Sequence, residues 1–341
     1  MKFVTVNAEA NGDPSSDWVG LLSNDPMSGS EIVINIKKAV NAVFPHQDSC
    51  CFDDMMAIIN RCELSVPLAQ KLLISLEKDD LISDYGTDRS RLSIRAPLPT
   101  PPQIRDCLLF EEHLSNAYAG LRNTLAAMEK DPEAALGRFE KQGLYKIPDV
   151  WYELPLYYKA NRFSVIGHQQ PIIKPHYTEK LDFELEFGCF LGRTLKNASP
   201  DEAEDAIFGY SIFNDMSARD IQSREMQGQL GPTKSKDFDT GNVIGPCIVT
   251  SDGFDPYNCT MIARINGSEV CRGHTSSMSR KFGEVLSYMS RDETLLPGEF
   301  VGSGTVGGGC GLEIGRYLEI GDTIELEVEG IGVLSNTIVS S

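Results

Sequence analysis

The segment Leu181-Asp182-Phe183-Glu184-Leu185-Glu186-Phe187 alternates apolar and acidic residues without a break. Only a β-strand sends successive side chains to opposite faces, so the pattern excludes a helix and requires a sheet. One face carries Leu181, Phe183, Leu185 and Phe187, and the other carries Asp182, Glu184 and Glu186. Residues two apart on a strand lie about 6.5–7 Å from each other, close enough for two Glu carboxylates to converge on one cation. Mg²⁺ or Mn²⁺ takes oxygen ligands in near-octahedral geometry and keeps some of its waters. A solvated strand face is the plain alternative, and the chain supplies its own control. Ile324-Glu325-Leu326-Glu327-Val328-Glu329 has the same pattern near the C-terminus, so spacing alone does not separate a metal site from a wet surface.

The rest of the chain supports a strand-rich reading. Beyond Pro148 the apolar period is two, predicting strands near 163–167, 181–191, 207–213, 244–250, 260–266 and 317–334. Most are separated by Gly, Pro, Asn or Asp turns. Helical spacing predicts a helix over 63–77 through Leu64, Leu68, Leu72, Leu73 and Leu76. A second runs from Asp106 to about Lys130 with Phe110, Leu114, Leu121, Leu125 and Met128 in one stripe, and a third covers 278–290. The run from Pro97 to Pro102 holds four prolines in six residues. Neither a helix interior nor a central strand accommodates that, so it reads as a linker. It divides a small N-terminal domain (1–100) from a larger one (101–341). The fold class is α+β rather than a regular βαβ alternation.

Charge narrows the functions. The 341 residues include 31 basic and 49 acidic side chains, a formal net charge of −18. Such a chain lacks the cations that neutralise nucleic-acid phosphates or dock on an anionic membrane surface. The N-terminus has no apolar signal core, and no apolar run approaches about 18 residues. A cytoplasmic protein is expected. Its nine scattered cysteines, with no CxxC pair, read as reduced thiols used as small apolar filler.

A short apolar run enters the polar segment Asn214-Asp215-Met216-Ser217-Ala218-Arg219-Asp220-Ile221-Gln222. Asn214 or Asp215 could cap a following helix, or Asp215 could aim from a strand end into a cleft as a third carboxylate ligand. The Gly-rich stretch 302–311 lacks the Gly-Lys-Ser/Thr ending of a phosphate cradle. It suits close backbone approach to a bound acid instead.

These segments, in order, resemble the fumarylacetoacetate hydrolase family. The matching motifs are Glu184-Leu185-Glu186, Asn214 to Gln222, Gly231-Pro232, Lys236-Asp237-Phe238-Asp239-Thr240, Gly245-Pro246, Pro297-Gly298-Glu299 and Gly302 to Gly309. The resemblance is strong over roughly 100–338 and weak before it. It implies a mixed β-roll or β-sandwich catalytic domain, with Glu184, Glu186 and Asp215 as metal ligands and Asp106 as a fourth. It places Glu325, Glu327 and Glu329 in a terminal strand. His113 matches the catalytic general base and Glu313 its orienting partner. Lys236 and Gln222 match groups that stabilise a departing carbanion. Arg122, Tyr158 and Arg219 match substrate contacts, and Thr305 matches a carboxylate-binding hydroxyl. Seven helical residues span about 10.5 Å, so Asp106 is expected ahead of the helix that carries His113.

The implied cofactor is Mg²⁺, with Mn²⁺ or Ca²⁺ as alternatives, and the implied partners are a small oxo acid and a second copy of the chain in a homodimer. Hydrolysis of a C–C bond in a β-diketo acid is the first reaction implied. Oxaloacetate-type decarboxylation is second, and isomerase or hydratase action on a ring-cleavage product third. A catalytically silent binding protein is the non-enzyme alternative. Two family tyrosines are replaced by Leu108 and Met226, which predicts a more apolar pocket and a substrate other than fumarylacetoacetate.

Overall fold

A computed structural model describes residues 1–9, 12–25 and 28–341, except for the Thr124 side chain. Among these residues the chain is strand-rich α+β, built on one large and one smaller sheet. The large sheet runs in the order Gly86–Asp88, Glu31–Asn35, Trp18–Asn24, Lys2–Asn7, Asn242–Thr250, Ile207–Asp215, Leu185–Leu191, Phe300–Gly302, Ile104–Cys107 and Tyr157–Ala160. The second contains Ser268–His274, Thr260–Ile265, Thr323–Val328, Gly332–Ser340 and Ile172–Lys174. Most pairings are antiparallel; Phe300–Gly302 runs parallel to Ile104–Cys107, and Gly332–Ser340 runs parallel to Ile172–Lys174.

The two acidic alternating segments diverge in their surroundings. Thr323–Val328 buries Ile324, Leu326 and Val328 and leaves the intervening residues half exposed. Leu185–Leu191 is buried at every position, because it has strands on both edges and side chains packed against both faces. Its pattern is also interrupted. Leu181–Asp182 pairs with Ser217–Ala218 in a separate two-stranded ladder, and the large sheet resumes at Leu185. Glu184 makes only an isolated bridge to Cys310.

The N-terminal strands extend the large sheet, with Lys2–Asn7 antiparallel to Asn242–Thr250. One apolar core joins Phe3, Leu21 and Ile34 to Phe213, Ile248 and Phe300. The helix expected over 63–77 is Cys62–Lys78, with Leu68, Leu72 and Leu76 buried. The one expected from Asp106 to Lys130 is shorter, Glu111–Ala126. Its leading residues instead form the strand Ile104–Cys107, buried at all four positions between two neighbours. Met128 falls beyond the helix end and is 78% exposed. The last expected helix is Phe282–Met289. No helix among the described residues is long and apolar enough to cross a membrane.

Candidate metal centre

Four neighbouring strands deliver three carboxylates to one place. Asp215 ends Ile207–Asp215, Glu186 lies on Leu185–Leu191, and Asp106 lies on Ile104–Cys107. The intervening strand presents Gly302 opposite Asp106. A Cβ there would stand 2.4 Å from Asp106 Oδ1, so a side chain at this position would collide with the Asp106 carboxylate. Asp106, Glu186 and Asp215 each place an oxygen within 4.8 Å of the others. All three are buried.

The surroundings leave part of this cluster unsatisfied. Glu186 accepts from the Gly304 N–H at 3.0 Å and from Thr305 Oγ1 at 3.2 Å. Gly304 can approach because it sits at φ +78°. The Tyr158 hydroxyl donates to Asp215 Oδ2 at 2.5 Å, and Lys236 pairs with the same carboxylate. Asp106 Oδ1 and Asp215 Oδ1 are buried with no hydrogen-bond partner. Burial, reinforced by the neighbouring carboxylates, holds the Glu186 carboxyl well above the usual range; burial likewise raises Asp215, against the pull of Lys236 beside it. Burial also pushes Asp106 up to about 6. Three crowded carboxylates with two orphaned oxygens are the donor set of a hard divalent cation.

Glu184 adjoins that triad and shares Lys236 with Asp215. Its carboxylate accepts from Lys236 Nζ at 2.5 Å and Arg219 Nη2 at 2.7 Å. Burial opposes its ionisation, but Lys236, then Arg219 and His113, hold its carboxyl below the ordinary value. Arg219 also binds Asp182 at 2.6 Å, and its Nη1 donates to Gln222 at 2.8 Å. Lys236 therefore links Glu184 to Asp215.

Asp106 is in a strand, and His113 is in the first turn of Glu111–Ala126. His113 Nδ1 lies 2.6 Å from Glu313 Oε1. An ionised carboxylate can only accept, which assigns the proton to Nδ1 and leaves the Nε2 lone pair free on the far edge of the ring. Glu313 Oε2 is anchored by Asn116 Nδ2 at 3.0 Å and by the Gly308 N–H at 2.8 Å.

The structure thus gathers Asp106, Glu186, Asp215, Lys236, Tyr158 and Thr305, with Glu184, Arg219 and Gln222 beside them and the His113–Glu313 pair alongside. Arg122 is not brought in; it donates to the Tyr145 carbonyl at 2.7 Å. Leu108 is half-buried and Met226 is 53% exposed. Sequence reasoning passed over Asp182, Asn116 and Cys310. Asp182 was visible in the alternation, but its role as a counter-ion for Arg219 depends on a residue 37 positions away.

Comparisons with known proteins agree on the family. The family model described as fumarylacetoacetate (FAA) hydrolase, C-terminal, matches residues 133–339. Oxaloacetate tautomerase YisK from Bacillus subtilis is 33% identical over 328 residues, covering 94% of this chain and 96% of the relative. A mitochondrial oxaloacetate tautomerase from Homo sapiens is 31% identical, over 54% of this chain and 59% of its own length. Among solved structures, a fumarylacetoacetate hydrolase from Exiguobacterium antarcticum matches both full lengths at a TM-score of 0.69 and 24% identity. A maleylpyruvate hydrolase from Sphingobium, solved with manganese(II) and pyruvate, matches at 0.66 and 17%, again over both full lengths.

Proposed function

The chain belongs to the fumarylacetoacetate hydrolase family, and on that basis we propose that it is a divalent-metal-dependent enzyme for small oxo acids. The first activity we assign is keto–enol tautomerisation of oxaloacetate. The observation that carries this reading is the buried Asp106–Glu186–Asp215 triad, with two unpartnered oxygens, next to Lys236 and the His113–Glu313 pair. The full-length Bacillus subtilis relative is the reason enolisation is placed ahead of C–C bond hydrolysis.

A divalent cation on the triad would polarise the substrate carbonyl as a Lewis acid and so acidify the adjacent C–H. The protein's own groups do the rest. Glu313 keeps the imidazole in one tautomer, and His113 Nε2 takes the proton from carbon and returns it to carbon or oxygen. Lys236, kept protonated by Asp215 and Glu184 against its burial, offers fixed positive charge to the enolate oxygen. Burial of these groups keeps bulk water away and strengthens each interaction.

Hydrolysis of a C–C bond in a β-diketo acid is the second reading. It rests on the same His113–Glu313 pair, which can activate a water as readily as a carbon acid. The two are separated by assaying the purified chain with Mg²⁺ and Mn²⁺. Decay of oxaloacetate enol is followed by ultraviolet absorbance, and acylpyruvate products are identified by mass. Faster enol–keto exchange without cleavage supports the first reading. Cleavage of an acylpyruvate with no effect on exchange replaces it with the second, and inactivity on both overturns the enzyme assignment.

A further inference from the structure

A second group of ligand atoms, of a different chemical character, lies alongside the carboxylate triad. His113, Cys310 and Glu313 bring a nitrogen, a sulfur and an oxygen within 4.8 Å of one another. Cys310 Sγ is 3.3 Å from Glu313 Oε1, the same oxygen that stands 2.6 Å from His113 Nδ1. His113 and Cys310 are buried, and only 2% of the Glu313 side chain is exposed. The second oxygen of Glu313 is fixed by Asn116 and Gly308. Such outer support is what orients a metal-binding carboxylate.

We propose that His113, Cys310 and Glu313 form a distinct site for a thiophilic divalent cation such as Zn²⁺, and that its occupation silences the enzyme. The regulatory half of this proposal rests on the acid–base role given to His113 above; the binding half does not. An imidazole, a thiolate and a carboxylate are the donors Zn²⁺ uses, with a fourth position left open. The triad offers only hard oxygens, so the two sites select different ions. Two of the three donor edges need little adjustment, and the third, between His113 and Cys310, is within 4.8 Å. In a tetrahedron with ordinary Zn²⁺ bond lengths the S···O edge is about 3.5 Å and the N···O edge about 3.3 Å. The first is nearly present, and the second requires the His113–Glu313 contact to open by about 0.7 Å.

The consequence for His113 follows from proton bookkeeping. Without the ion, Nδ1 carries the proton and Nε2 is a free base. With the ion on Nδ1, that proton moves to Nε2, and the thiol proton of Cys310 leaves to solvent. One proton is released per ion bound. The imidazole then has no lone pair with which to accept a proton from substrate.

The test titrates the full chain with Co²⁺, a spectroscopic stand-in for Zn²⁺, in excess Mg²⁺ to fill the triad. One equivalent should produce a thiolate-to-metal charge-transfer band in the near ultraviolet. Cys310→Ser should abolish the band, and Cys247→Ser, at a buried thiol near the Ile331 carbonyl, should keep it. Glu313→Gln should weaken Co²⁺ binding about tenfold or more, at least the cost of losing outer support. A wild-type chain with no band, a band that survives Cys310→Ser, or undiminished binding by Glu313→Gln overturns the site. Stoichiometric Zn²⁺ should abolish Mg²⁺-dependent turnover, and turnover that persists with Zn²⁺ bound overturns the switch. If the oxo-acid reading alone is wrong, the Cys310-dependent band remains while no turnover is found.

Discussion

Asp106→Asn should make the metal-free protein more stable and the metal-bound protein weaker. Asp106 is buried, its Oδ1 has no partner, and its carboxyl lies within hydrogen-bonding reach of Glu186. Burial raises it from an ordinary 3.8 to about 6. The folded chain therefore holds a proton there that the unfolded chain gives up from about pH 4. By linkage, stability contributed by a carboxyl raised on folding is present below 3.8, falls as pH rises, and is gone above about 6. A tenfold change in proton affinity is worth about 1.4 kcal/mol, so this displacement costs the metal-free fold on the order of 3 kcal/mol at pH 8. An amide has the shape of the protonated acid, keeps an oxygen that can accept from Glu186, and avoids that cost. At about 2.1 cal/mol/K of unfolding entropy per residue, 341 residues give about 0.7 kcal/mol/K. The variant should then melt about 4 °C above wild type in EDTA at pH 8, with the gap closing near pH 4. With saturating Mn²⁺ the order should reverse, because a charged ligand has been lost. Thermal melts at both pH values, with and without Mn²⁺, measure this. A variant less stable than wild type in EDTA at pH 8 would refute the argument that Asp106 is a strained, cation-seeking carboxylate.

His113→Asn should lower turnover by about 10²–10⁴ while leaving the Mn²⁺-induced rise in melting temperature intact, which separates proton transfer from metal binding. Arg219→Ala strands the buried carboxylates Asp182 and Glu184 and should cost about 3–5 kcal/mol of stability in urea titrations. Divalent metal at a hundred times its dissociation constant should stabilise wild type by about 2.7 kcal/mol, and EDTA should remove both that gain and all turnover. Lys236→Met should unfold more readily without metal and regain part of the loss with Mn²⁺, since the ion takes over some of the charge that Lys236 gives Asp215.

Much of the secondary structure was legible because it is local. Period two after Pro148 located the strands near 207–213, 244–250 and 260–266, and Leu68, Leu72 and Leu76 located a helix. Apolar spacing alone carries the helix back to Asp106, because Ile104–Cys107 is too short to show a period, whereas the helical rise between Asp106 and His113 sets Asp106 ahead of the helix, where it stands. The strand's partners, Phe300–Gly302 and Tyr157–Ala160, are far along the chain. Cys310 read as filler because its neighbour His113 lies nearly two hundred residues away.

The two acidic alternating segments mark the division most clearly. Their sequences determined that both are strands with one apolar face, since alternation depends only on backbone geometry. What lies over the acidic face depends on which distant segments pair beside each strand. Thr323–Val328 leaves its glutamates half exposed, where water solvates them and Glu327 pairs with Arg264 at 2.7 Å. Leu185–Leu191 lies between two strands and under packed side chains, so Glu186 is desolvated beside Asp106 and Asp215. Glu184, two residues earlier, is neutralised by Arg219 and Lys236. Burial converts a solvated carboxylate into one that requires a cation, and only the tertiary structure decided which glutamates were buried and what cation each could reach.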